Sequence, residues 1–206
     1  MGSILAAVSL VLGPALLGLA LATLAEPLPD GLPDYTTIDN QHGLLMLSFN
    51  LAAAAFPFAI GSVVAIAVVA RASRITAAWG LACSILGLSA MFGNAMLSVP
   101  IVLMNGIADH SGFDQLAPRL AEPPLVALWA FPLFFVGSVL LAVAVWRSAA
   151  APPWAAVCIA LGGLFPIAIV LGVGVLALPI AGLRIAGSLP LITRITARPV
   201  TAPAPA

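Results

Sequence analysis

Charge is what this sequence most lacks. Only 7% of its 206 residues are charged, while 63% are hydrophobic. A soluble domain of this length cannot cover its surface with so few charges. Lysine is absent altogether. That excludes a lysine Schiff base with retinal or pyridoxal, and it excludes a P-loop. Cysteine is nearly absent too. Cys83 and Cys158 lie within apolar stretches and form no C-x-x-C pair, so disulfide exchange is not expected. No H-x-x-x-H or H-E-x-x-H pattern occurs. Neither a metal nor another cofactor is therefore expected. The few arginines form no basic tract, which argues against a nucleic-acid partner.

What the chain does have is long apolar runs. A hydrocarbon core about 30 Å thick needs roughly 20 consecutive apolar residues in a helix. Five spans reach that length, at about 4–25, 44–70, 75–103, 124–146 and 153–178. The expected fold is all-α, a polytopic transmembrane helix bundle of five spans, with six as the alternative. Residues 1–198 form one transmembrane domain on this reading, and 199–206 a disordered tail. The undecided stretch is 153–192, interrupted only by Arg184. A sixth span would bury Arg184 near the bilayer centre, at a cost of about 2.5–3.5 kcal/mol. Arg184, Arg194 and Arg198 fall within about 80° of one helical face. Residues 179–198 are therefore expected to lie as an interfacial tail helix.

The charges are sorted. All seven acids fall in the connectors 26–43 and 104–123, whereas Arg71, Arg74 and Arg147 mark the other two turns. Short arginine-rich connectors stay in the cytoplasm. The expected placement is multi-pass in the cell membrane, with the N-terminus cytoplasmic and both acidic connectors outside. The first span has no basic residue ahead of it and is too long for a signal peptide.

An internal repeat runs through the centre. Ala55-Phe-Pro-Phe-Ala-Ile-Gly-Ser-Val leads to Arg71, and Ala130-Phe-Pro-Leu-Phe-Phe-Val-Gly-Ser-Val leads to Arg147. Trp79 and Trp154 follow, each with cysteine at +4, leucine at +7 and glycine at +8. Spans two and three thus read as a helical hairpin duplicated in spans four and five. Their common direction makes them parallel repeats. Trp79, Trp146 and Trp154 map to the inner interface, where indole rings favour the headgroup level.

Polar residues and aromatics gather toward the outer halves of spans two and three. His42, Met46 and Asn50 share one face of span two, and Asn94, Ser98, Asn105 and Asp109 form a similar stripe. Amides in a membrane need partners, so Asn50 and Asn94 are expected to face the interior. The expected site is an outer-half pocket with His42, Asn50, Asn94, Ser98 and Asn105 as polar groups. Phe56, Phe135 and Trp129 would line it. Asp109 and Asp39, at the span ends, are the candidate acids. A dehydrating wall would let either hold a proton for catalysis.

The residues Arg71 to Arg74 and Trp146 to Val157, with an acidic outer connector between them, resemble uncharacterised multi-pass membrane proteins of high-GC bacteria. That resemblance implies a membrane location and no activity. More distantly, the chain is similar in size and composition to the small integral-membrane terpene cyclases. This resemblance implies an isoprenoid- or lipid-like ligand, and acid-initiated cyclisation or isomerisation. The expected partners are membrane lipids and a hydrophobic small molecule. A non-catalytic accessory subunit and a small transporter are the competing readings.

Overall fold

In hydrocarbon a segment must pair its own backbone N–H and C=O groups, and the helix is the local solution. The computed structural model holds six helices and no strand among its described residues. It describes residues 2–23, 35–70, 73–104, 125–165 and 174–197, with side chains in 2–23, 42–70, 73–93, 131–165 and 174–197 and at Met96. The helices are α1 (Gly2–Ala22), α2 (Tyr35–Val69), α3 (Arg74–Met104), α4 (Leu125–Arg147), α5 (Pro153–Leu161) and α6 (Ala177–Ala197). Short 3-10 turns, Gly162–Leu164 and Gly174–Leu176, close α5 and open α6.

Four segments are long and apolar enough to cross a membrane: Gly2–Ala22, His42–Val69, Arg74–Gly93 and Gly174–Ala197. Phe131–Arg147 and Pro153–Leu164 are shorter apolar helices. Only 33–39% of each long span is buried within the chain. The outward faces carry Leu5, Val68, Ile75, Leu86 and Val157. A continuous apolar exterior of this kind is matched to lipid tails rather than water.

The helices close into a ring. Each packs on the next in sequence, and α6 returns to α1. The pairs α1–α2 and α3–α4 make the most extensive contacts. Glycines explain why. A methyl added at Gly13 would stand 2.8 Å from the Phe58 backbone, and one at Gly87 would stand 2.5 Å from that of Phe134. Gly61 presses on Ser9, and Gly137 on Ser84. Backbones approach this closely only where no Cβ intervenes. In α5 and α6 the same device recurs: Gly162 abuts Arg184, and Gly187 abuts Cys158 and Ile159.

These contacts reveal three related hairpins, α1–α2, α3–α4 and α5–α6. Each second helix carries a Gly-Ser pair: Gly61-Ser62, Gly137-Ser138 and Gly187-Ser188. Three residues before each pair stand Phe58, Phe134 and Arg184, against Gly13, Gly87 and Gly162 respectively. The repeat read from the sequence is the middle of this series. Its burial order matches: Trp79 and Trp154 are exposed, Ser84 and Ile159 buried, Leu86 and Leu161 exposed, Gly87 and Gly162 buried. The tight packing unit, however, is α3 with α4 rather than α2 with α3.

The interfacial tail is corrected. Residues 177–197 form a sixth helix that packs against α1 and α5. Arg184 is 3% exposed. It points into the bundle instead of lipid, so the insertion cost argued against a sixth span does not apply in full. Arg194 donates to the Ala149 carbonyl at 2.7 Å. Arg194 therefore sits beside the Arg147 turn, at the same end as Arg74. This end is called the arginine end below.

Candidate functional site

The centre of the ring is the site. A small cavity there is lined by Gly13, Pro14, Ser62, Leu88, Phe134, Phe165 and Arg184, so every helix or its 3-10 extension contributes. A water molecule's centre can move within about 20 Å³ of it, which is room for a single water. The wall is apolar except for the Arg184 guanidinium and the Ser62 hydroxyl.

Depth follows from helical rise. Arg184 lies 13 residues from Ala197, about 20 Å from the arginine end at 1.5 Å per residue. That is close to the middle of a span. One turn nearer the arginine end lies a layer of buried serines: Ser9, Ser62, Ser84, Ser138 and Ser188. On α5 the position corresponding to Ser84 is Ile159, so this helix adds no hydroxyl to the layer. Ser188 donates to the Arg184 carbonyl at 2.8 Å. The hydroxyls of Ser62, Ser84 and Ser138 find no partner among the described residues. Buried hydroxyls are ordinarily satisfied, so this layer is polar capacity held in reserve.

Arg184 has one described hydrogen bond, from its guanidinium to the Ile159 carbonyl at 2.7 Å. That carbonyl needs a donor. The last α-helical bond of α5 runs from Gly162 N–H to the Cys158 carbonyl. Beyond it the chain tightens to 3-10, leaving Ile159 among the orphan carbonyls of a helix end. A guanidinium carries five N–H donors, and the Ile159 carbonyl is the one partner described for them.

The residues expected to form an outer-half pocket do not converge among the described side chains. Asn50 is exposed, as is His42. The inward face of α2 is set by Ser48, Ala55, Ala59, Ser62 and Ile66. Ser48 donates to the Ala20 carbonyl at 2.7 Å, and Asn50 lies about 200° around the helix from it. The interior placement of Asn50 is thus corrected. Depth gives the reason that an exposed amide is tolerated. Asn50 is 19 residues from Val69, about 28 Å, so it reaches the outer edge of a hydrocarbon core. His42 lies beyond that edge. Phe56 is half-buried and stacks on Phe92, with ring centroids 4.4 Å apart and planes at 21°. Phe135 is 39% exposed and lies on the outward side of α4, next to buried Phe134. Asp39, Asn94, Ser98 and Trp129 fall within helices, but their side chains lie outside the described residues, as do Asn105 and Asp109 entirely.

Arg184 was read from sequence as a tail residue and so was missed. The signal that finds it is the third Gly-Ser pair, Gly187-Ser188, at the spacing seen in α2 and α4. No protein-family model, curated protein or solved structure matches the chain.

Proposed function

We propose that this membrane protein binds an amphiphile with an anionic head, held at Arg184 in the centre of the ring. One observation carries the reading. The position occupied by Phe58 in α2 and Phe134 in α4 is Arg184 in α6. In two hairpins the facing glycine meets mainly the backbone of a phenylalanine, so the close approach in the third does not need a cation. A buried charge in a membrane bundle is costly and marks a site by default. The cavity beside it has the composition of a ligand site, mostly apolar with a few polar groups. A carboxylate or comparable head would require this single-water cavity to widen on binding; it would then accept from the guanidinium and from Ser62 and set its chain against Phe134 and Phe165.

Arginine sorting supports a cell-membrane protein with the arginine end cytoplasmic. Acid-initiated isoprenoid chemistry would need Asp109 or Asp39 near this site, so the proposal extends to binding and to no reaction. A second reading rests on the 2.7 Å bond to Ile159: Arg184 staples a helix end, and the bundle is an accessory subunit without a ligand. Gentle extraction of the full chain, followed by native mass spectrometry, separates the two. An anionic amphiphile retained by the wild type and lost from Arg184→Phe supports binding. A ligand-free wild type supports the staple.

A further inference from the structure

The search for a second site leads to the arginine end. Its starting point is register. Along the α3–α4 pair, Gly80 faces Leu141, Ser84 faces Gly137 and Gly87 faces Phe134. Each step down α3 is matched by an equal step up α4. Carried to the end of the pair, the same register sets Arg74 opposite Arg147. Like charges held at one level of a helix pair repel, and the glycine contacts fix the backbone register that puts them there.

A third guanidinium joins them. The turn after α4 holds Ala149 in the left-handed region, at φ 48°. Arg194 donates to the carbonyl of this residue at 2.7 Å. That bond holds the Arg194 head two residues from Arg147 and leaves its remaining donors outward. Arg74, Arg147 and Arg194 are all exposed. Two indoles flank the group on the lipid side: Trp146, 63% exposed, and Trp154, 52% exposed. All seven acids of the chain belong to the connectors and helix ends at 26–39 and 109–122, so none lies in this turn sequence.

We infer that Arg74, Arg147 and Arg194 form a headgroup site for an anionic phospholipid. The phosphate would relieve the enforced repulsion and accept from planar donors suited to phosphate oxygens. Trp146 and Trp154 would sit at the glycerol level beside its chains, where indole rings favour the interface. Basic pockets between spans on one leaflet take anionic lipids by this chemistry. The inference is independent of the reading of Arg184.

The test uses the full chain purified in a neutral detergent, with thermal unfolding as the readout. Dioleoyl-phosphatidylglycerol should raise the midpoint by roughly 2–4 °C more than dioleoyl-phosphatidylcholine. Arg147→Gln with Arg194→Gln should reduce that difference, by the same amount in the wild type and in an Arg184→Phe background, while Arg147→Lys should keep part of it. In the wild type the difference should also shrink as salt rises, because exposed charges are screened. Equal shifts from the two lipids would overturn the site, as would an undiminished difference in the double variant. A difference insensitive to salt, or an equal shift from inorganic phosphate alone, would do the same. The salt series and the phosphate control need no variant, so a double variant that does not fold leaves the test intact.

Discussion

The guanidinium of Arg184 donates to the carbonyl of Ile159 at 2.7 Å, across the closest approach of α6 to α5. This bond spans 25 residues of sequence and sits where α5 changes from α to 3-10 geometry. It joins the one charge among the described buried residues to the 3-10 turn that closes α5.

Its contribution is measurable apart from ligand binding. Arg184→Phe restores the residue type found at the related positions in α2 and α4, and leaves the Ile159 carbonyl without a donor. The expected loss is about 1–3 kcal/mol, the cost of one unsatisfied buried group. Arg184→Ala should lose more, because it also leaves a void. Thermal unfolding of the three purified chains in one detergent checks the order. An alanine variant as stable as the phenylalanine one contradicts the packing described for Gly162.

The glycine contacts carry their own expectation. Gly87→Leu should be destabilising by about 1–3 kcal/mol or more, since overpacking forces backbones apart. Gly93→Leu is the control, because nothing stands within 4 Å of a methyl there. It should change stability by less than about 0.5 kcal/mol. Similar melting temperatures for the two variants would count against the α3–α4 register.

If all six helices cross the membrane, the C-terminus returns to the side of the N-terminus. Single cysteines at Ser3, Ala149 and Thr196, in a background lacking Cys83 and Cys158, should label from one side of sealed vesicles. A cysteine at Asp30 should label from the other. Labelling of position 196 together with position 30 would restore the five-span reading and remove Arg184 from the bundle.

The sequence was most legible where lipid dictates the pattern. Apolar runs of about 20 residues were enough for the helical bundle. The ordered Trp79 and Trp154 matches exposed the repeat. The path to Arg184 was hidden for a physical reason. An insertion cost counts a charge against lipid, whereas this charge faces a helix-end carbonyl and a cavity built by all six hairpin arms. The face of Asn50 was hidden for another reason. The stripe of His42, Met46 and Asn50 was read correctly as one face, but which face packs is decided by Ser48 and Ala55 meeting α1. Depth compounded this, since α2 has 35 residues and is about 52 Å long, far more than a bilayer core requires.

The most direct measurement is a paired titration of the detergent-solubilised full chain with oleate and with oleyl alcohol, read by the midpoint of thermal unfolding. The two probes share a chain and differ in the charge of the head. Binding at Arg184 should make oleate raise the midpoint of the wild type in a saturable way, with oleyl alcohol giving little. Measured in an Arg147→Gln, Arg194→Gln background, so that the arginine end contributes nothing, the preference should vanish on adding Arg184→Phe. Equal responses to the two probes, or an oleate preference undiminished in Arg184→Phe, would contradict a central anionic site.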